Sequence, residues 1–374
     1  MNIAYDARLS LGRYRGMGHF LRQLIAGREQ EFLGLCADGE RDSTLNLHAS
    51  GFRPYPIWEQ LSIPRLIRAK KVEVFLAPYN SAPLRMPAET KLVLIVHDLI
   101  FLDHLAFSRS MYQNAGRWYR RVVMPLAIKR ADVVVTVSNH TARQLVTRFG
   151  VEKRRLRVIP NSVGEEWFTS QRCDARGHYV LTVTGEAPSK NLDRAIAAFA
   201  LCRKVSGDSK LRMKVAGVTL KYHAAFQARA RECGVADSID FLGYVSVAQM
   251  RHLYRRAELF LMPSLAEGFG IPVLEAMASG VPVAASAGTA LKEVAGDAAL
   301  YFDPTSIESM ATTIDEILGN RTLQAEMSER GWVRARSFHP VVVGKYVRDF
   351  WAELEEAAQP TRRRDKDQWA RSVC

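Results

Sequence analysis

Ser264-Leu265-Ala266-Glu267-Gly268-Phe269-Gly270-Ile271-Pro272-Val273-Leu274-Glu275-Ala276-Met277-Ala278-Ser279-Gly280-Val281-Pro282-Val283 is the stretch on which the reading of this chain turns. It sets two carboxylates, Glu267 and Glu275, on either side of a Gly268-Phe269-Gly270 turn. An apolar run over Leu259–Met262 precedes the turn and a helical pattern follows it. Pro is favoured in a first helical turn, where its missing N–H costs nothing, so the helix is predicted to start near Ile271 and Pro272. A glycine turn feeding a helix leaves backbone N–H groups free at the positive end of the helix dipole, an arrangement that suits a phosphate. An ionised carboxylate offers only acceptors and can take both hydrogens of a vicinal diol such as a ribose. The segment therefore reads as a site for a nucleoside diphosphate joined to a hydroxyl-rich group.

Working outward, short β-rich runs alternate with helical patterns along the chain, which predicts parallel sheets built from βαβ units. Strands are expected at Ile3–Asp6, Phe32–Ala37, Val72–Ala77, Leu92–Val96, Val133–Val137 and Leu156–Ile159, then at Tyr179–Val183, Leu211–Ala216, Ile239–Leu242, Leu259–Met262, Val281–Ala285 and Leu300–Phe302. The first half should carry helices at Gly18–Ala26, Ser108–Lys129 and Asn139–Phe149. A polar stretch, Ser162 to Gly177, separates the halves. We expect a first domain over 1–165, a second, nucleotide-binding domain over 166–340, a further helix over 341–358 and a mobile basic tail over 359–374. Two doubly wound domains create a cleft between the carboxyl ends of their sheets, where such folds bind ligands.

The 374 residues, 48% hydrophobic and 24% charged, suit two globular domains. The longest apolar candidate, Leu92–Phe107, is broken by His97, Asp98, Asp103 and His104 and falls short of a membrane span. The chain opens directly on a strand pattern, so no leader is expected. Five cysteines without paired spacing predict reduced, cytosolic thiols. The net charge of +13 requires anionic partners. Nucleic acid, an anionic membrane surface and phosphorylated small molecules are the candidates; no nucleic-acid signature accompanies the basic clusters, so nucleic acid is the weaker reading and is not expected as a partner. Arg117–Arg130 mixes cations with aromatics and aliphatics, as a helix on anionic lipid would, or as a surface helix with an apolar face would.

The E-G-F-G-x-P-x-x-E-A-M-A-x-G-x-P-V pattern resembles the signature of the family-4 retaining glycosyltransferases of the GT-B fold, and the likeness runs from Met1 to about Pro304. The resemblance implies that Glu267 lies beside the donor sugar and Glu275 holds the ribose. Gly16-Met17-Gly18, in a segment similar to the family's G-I-G-R-Y element, would bring free amides to the phosphate. His97 falls in a V-H-D element whose His contacts the donor sugar, while Asp98 either orients that ring or caps the following turn. Lys190 matches the diphosphate-binding lysine. Thr184, Gly185, Glu186 and Ser189 stand where many relatives add an Arg, so the phosphate clamp is incomplete. Asn161, in an I-P-N element, is expected near the hinge. Backbone groups at Val245 would read the nucleobase, and Gly268, Phe269 and Gly270 complete the donor set.

The fold expected is α/β, two Rossmann-like domains facing each other, with the C-terminal helix crossing back to the first. The function expected is transfer of a hexose, mannose or rhamnose type, from a nucleoside-diphosphate donor (GDP favoured) to a lipid-linked or glycan acceptor at the inner face of the cell membrane. No metal or other cofactor is expected, since the sole D-x-D, Asp365-Lys366-Asp367, lies in the tail. The alternatives are a non-catalytic scaffold of the same fold or a nucleotide-sugar epimerase.

Overall fold

The computed structural model describes residues 1–11, 16–52, 54–102, 111–168 and 177–357. Element order in the first half is β1 (Ile3–Asp6), α1 (Gly16–Ile25), β2 (Leu33–Cys36), β3 (Leu47–Ala49), α2 (Tyr55–Ile57), α3 (Ile63–Ala69), β4 (Val74–Ala77), β5 (Lys91–Val96), α4 (Met111–Arg130), β6 (Val133–Thr136), α5 (Asn139–Phe149) and β7 (Leu156–Val158). The second half runs β8 (Tyr179–Val183), α6 (Leu192–Ser206), β9 (Arg212–Ala216), α7 (Leu220–Glu232), β10 (Ile239–Gly243), α8 (Val247–Arg256), β11 (Leu259–Met262), α9 (Ile271–Ala278), β12 (Val283–Ser286), α10 (Ala290–Ala295) and β13 (Ala299–Phe302). Three helices follow: α11 (Ile307–Gly319), α12 (Arg321–Arg336) and α13 (Pro340–Glu356).

The first sheet has seven strands in the order β3-β2-β1-β4-β5-β6-β7, and the second has six in the order β10-β9-β8-β11-β12-β13. Every pairing is parallel. Parallel strands are covered on both faces, which explains continuous apolar runs such as Leu92–Val96, buried throughout. In each sheet the strand order reverses beside the first strand of that half, between β1 and β4 and between β8 and β11. The loops leaving the carboxyl ends of those strands frame a crevice.

The returning helix is present. α13 places Val343, Val347, Phe350, Trp351 and Leu354 on one buried face. Trp351 Nε1 donates to the Leu24 carbonyl at 2.8 Å, and its ring packs against Phe32. Arg28–Glu355 and Arg157–Glu353 ion pairs, at 2.8 and 2.6 Å, flank that contact on the first domain.

Two elements depart from the pattern reading. β3 adds a short, half-exposed edge strand that carries too few apolar residues to stand out. The Arg65–Lys71 cluster, read only as charge, lies on and just past α3, which continues from α2 through a π-helical turn over Trp58–Ser62. The expected start of α4 at Ser108 and the 359–374 tail with its D-x-D lie outside the described residues.

Candidate active site in the interdomain cleft

The crevice of the second sheet brings together two loops distant in sequence. Lys190 ends the turn after β8, and the next residue, Asn191, takes a left-handed conformation with φ of 59°. Asn191 Nδ2 donates to the Pro263 carbonyl at 2.9 Å and the Pro304 carbonyl at 2.7 Å. Leu265 N donates to the Ser189 carbonyl at 2.8 Å, so the loops after β8 and β11 are tied twice. Lys190 Nζ then reaches Glu267 Oε1 at 2.5 Å, and Ser264 Oγ donates to the same oxygen at 2.9 Å. Lys190 and Glu267, assigned separate roles from sequence, thus form one ion pair. The acid therefore fixes where the ammonium of Lys190 stands.

Gly270, with φ of 102°, turns the chain into α9, whose first residue is Ile271 as expected. Glu275 lies further along this helix, half-buried, and its Oε2 accepts from the Tyr254 hydroxyl at 3.0 Å. Burial pushes its carboxyl up to about 7, against the lowering effect of the Tyr254 hydrogen bond, and the charge of Glu166 adds to the rise. Sequence reasoning missed Tyr254, which sits in α8 with no motif around it. Val245 ends the loop after β10, immediately before the Ser246 cap of α8, at the outer edge of the sheet.

On the first sheet, His97 follows β5. Its Nε2 donates to the Pro78 carbonyl at 2.9 Å, and its backbone N–H donates to Asn80 Oδ1 at 2.7 Å. Burial lowers the imidazole to about 4, so the ring is neutral at pH 7. With the proton on Nε2, Nδ1 is left as an acceptor, the form needed to receive a sugar hydroxyl. Asn80, in a left-handed conformation with φ of 59°, is a supporting residue the motif search did not find. Asp98 Oδ1 accepts from Ile100 N at 3.1 Å, so this carboxylate caps the following turn. Burial raises the Asp98 carboxyl, and the nearby Glu267 charge raises it further, while Arg120 and Lys190 oppose. Asp6 and Arg8 of the D-x-R element pair with each other, and the guanidinium lies 4.3 Å over the Tyr55 ring. Asn161 is 3% exposed, and its Oδ1 has no hydrogen-bond partner. His19 Nε2, on α1, is likewise buried without one.

The two half-sites meet. A Cβ on Gly16, at the start of α1, would lie 3.7 Å from Ile271 Cδ1, so the amino ends of α1 and α9 face each other across the cleft. Gly18 is buried in the first turn of α1. A Cβ on Gly268 would fall 2.0 Å from the His97 carbonyl oxygen, so only glycine allows this approach of the two domains. Phe269 is buried and stacks edge-on against Phe338. A cavity of about 150 Å³ between the domains is walled by Asp98, His140, Glu267, Gly268 and Thr289. The assembled cleft offers opposed helix amino ends, one lysine, a half-buried diol-type carboxylate and a neutral imidazole. Such a set can hold a diphosphate and orient hydroxyl groups beside it.

Comparison with known proteins agrees with this geometry. Residues 164–333 match the family described as Glycosyl transferases group 1, and residues 14–167 match Glycosyltransferase Family 4. The O-antigen chain mannosyltransferase RfbU of Salmonella typhimurium is 33% identical over 199 residues, covering 53% of this chain and 54% of the relative. O-antigen chain mannosyltransferase B of Escherichia coli is 41% identical over 226 residues, covering 57% of this chain and 58% of the relative. The chain therefore matches somewhat more than half the length of these curated relatives. The crystal structure of Anabaena HepE in complex with UDP-glucose superposes with a TM-score of 0.73 at 17% identity, covering 94% of this chain and 100% of that one. Two parallel Rossmann-like sheets, a helix that returns from the second to the first, and family matches that together run from 14 to 333 lead to one conclusion: the chain belongs to the group 1 and family 4 glycosyltransferases of the GT-B fold.

Proposed function

We propose that the chain moves a mannose-type hexose, with retention of anomeric configuration and without a metal ion, from a nucleoside-diphosphate donor to a hydroxyl of a lipid-linked glycan. The observation that carries this reading is the opposition of the α1 and α9 amino ends at Gly16 and Ile271, with Lys190 and Glu267 beside them. Breaking the anomeric C–O bond leaves charge on the β-phosphate, and positive potential fixed in advance lowers that barrier. Glu275 takes the ribose hydroxyls, neutral His97 accepts from the sugar, and Glu267 faces the sugar while steering Lys190 toward the phosphate. Among the described residues no side chain on the acceptor side is placed as a strong base, which favours a front-face route in which the departing phosphate oxygen takes the acceptor proton. The O-antigen mannosyltransferase relatives support mannose and hence a GDP donor. The fold neighbour carries UDP-glucose, so the nucleobase is the open variable. A thermal-shift series of GDP, UDP, ADP and dTDP, followed by proton NMR of the product anomer, tests this. A β-mannoside product from an α-linked donor would refute retention.

We place the lipid-linked acceptor at an anionic membrane met by the first domain. Among the described residues no helix is long and apolar enough to cross a membrane. Instead, Trp118, Val122 and Leu126 form an exposed stripe along α4, and Ile57 and Leu61 continue it across the Gln60–Tyr119 hydrogen bond of 2.7 Å. Arg65 and Arg68 are exposed on α3, just after Leu61, and Arg117 adjoins Trp118 on α4, the composition of a surface that lies in an anionic interface. Arg121 turns inward, donating to the Phe101 carbonyl at 2.8 Å, so it is a poor test position. Flotation with phosphatidylglycerol vesicles should show salt-sensitive binding that Trp118→Ser with Arg65→Glu and Arg68→Glu abolishes. Equal flotation of the triple variant would refute this face.

A further inference from the structure

We infer that Glu293 is the latch that holds the two domains closed over the donor, and so a positioning residue for the transfer. Glu293 lies on α10 in the second domain, yet both of its oxygens serve the first. Oε1 accepts from Asn139 N at 2.7 Å and from Asn139 Nδ2 at 3.0 Å, and Oε2 accepts from His140 N at 2.7 Å. Those amides belong to the first turn of α5, whose N–H groups have no partner within the helix. The cap of α5 is thereby divided between domains. Ser138 Oγ accepts from Thr141 N at 3.1 Å from within the first domain, while Glu293 takes the two amides before it. A carboxylate at this end also meets the positive pole of the helix.

Glu293 is held rigidly enough to act as a stop. Arg334, on α12, donates through Nη2 to the Glu293 carbonyl at 2.6 Å and through Nε to the Val294 carbonyl at 2.8 Å. The Thr289 hydroxyl caps the other end of α10, accepting from Leu291 N at 3.1 Å. The same α5 entry grips the catalytic loop, because Ser138 Oγ donates to the Gly268 carbonyl at 2.8 Å. Residues 138–140 thus hold α10 and the Glu267 loop at once, which keeps Gly268 against the His97 carbonyl. Opening the cleft would break all four contacts together and release the α5 amides to water. Three of those four contacts run through one side chain that touches no reacting atom.

The test compares wild type with Glu293→Ala, Glu293→Gln and Asn139→Pro. Proline is accepted at the first helical position and deletes two of the three donors, the Asn139 N–H and its side-chain amide. Ser138, at φ −152° and ψ 153°, already has the extended backbone that precedes proline, so α5 should survive. Small-angle scattering and a dye pair spanning the domains read closure in saturating nucleoside diphosphate, and circular dichroism checks the fold. Losing charge-assisted hydrogen bonds should cut the closed-to-open ratio by about tenfold or more in Glu293→Ala and Asn139→Pro. Glu293→Gln, which keeps an acceptor, should be intermediate. Transfer kcat/KM should fall in the same order, while nucleoside diphosphate affinity falls by less, since Lys190, Glu275 and the α9 turn stay together in the second domain and only the α1 amino end withdraws. A Glu293→Ala protein as compact as wild type overturns the latch. An open variant that transfers sugar at the wild-type rate overturns the positioning role. The kinetic arm rests on the sugar-transfer reading above; the closure arm does not, and decides the latch even if that reading fails.

Discussion

The carboxyl of Glu275, raised by burial to about 7, makes donor binding titrate across neutral pH. A ribose diol donates two hydrogens, and only the ionised carboxylate accepts both, so affinity should follow the ionised fraction. With a value of about 7, roughly one part in eleven is ionised at pH 6 and ten parts in eleven at pH 8. Affinity should therefore rise about tenfold over that interval, which is about 1.4 kcal/mol. The assay is titration calorimetry with an intact nucleotide sugar. A free nucleoside diphosphate would confuse the result, because a terminal phosphate has its own ionisation near 6 and the diester does not. At pH 7 binding should also release about half a proton, visible as a dependence of the measured heat on buffer ionisation enthalpy. Glu275→Gln should bind more weakly with a flat profile. Equal affinity at pH 6 and pH 8, or an unchanged slope in Glu275→Gln, would refute the assignment. The same shift has a second consequence with the opposite sense. A carboxyl whose folded value exceeds its unfolded 4.5 favours the folded state at low pH, and that stability is lost as pH rises from about 4.5 to about 7. The loss amounts to about 3 kcal/mol for the ligand-free protein, and donor binding should offset it in a thermal melt.

Glu267→Ala and His97→Ala should each depress turnover by about a hundredfold or more with donor affinity within about threefold, as steady-state kinetics would show; a raised donor KM alone would contradict their placement at the sugar. Gly268→Ala should fold, by circular dichroism, yet lose transfer, because the added methyl would sit 2.0 Å from the His97 carbonyl oxygen; a fully active variant would mean that this approach is not part of the working state. Activity should survive excess EDTA, since charge on the phosphate is met by Lys190 and helix amino ends; a strict Mn²⁺ requirement would reassign that chemistry.

Much of this protein was open to reading along the chain. Apolar runs such as Leu92–Val96 and Leu259–Met262 report strands buried on both faces, and that property is local. The Glu267–Glu275 segment, with its glycines and Pro272, encodes its own turn and helix start, because φ preferences and missing donors act within a few residues. Elements with weak local signal were lost. β3 carries only three residues at a sheet edge, and the helical stretch from Tyr55 to Ala69 is interrupted by Pro56 and Pro64 and by a π turn. Pairings between residues far apart in the chain lay beyond the reach of sequence periodicity. Lys190 meets Glu267 at a separation of 77 residues, and Glu293 meets Asn139 at 154. The burial that raises Glu275 and lowers His97 likewise comes from chain that no local window contains. Periodicity states which side of an element is apolar. Which charge a lysine faces, and whether a carboxylate holds its proton, depends on how distant loops of one sheet, and then the two sheets, are brought together.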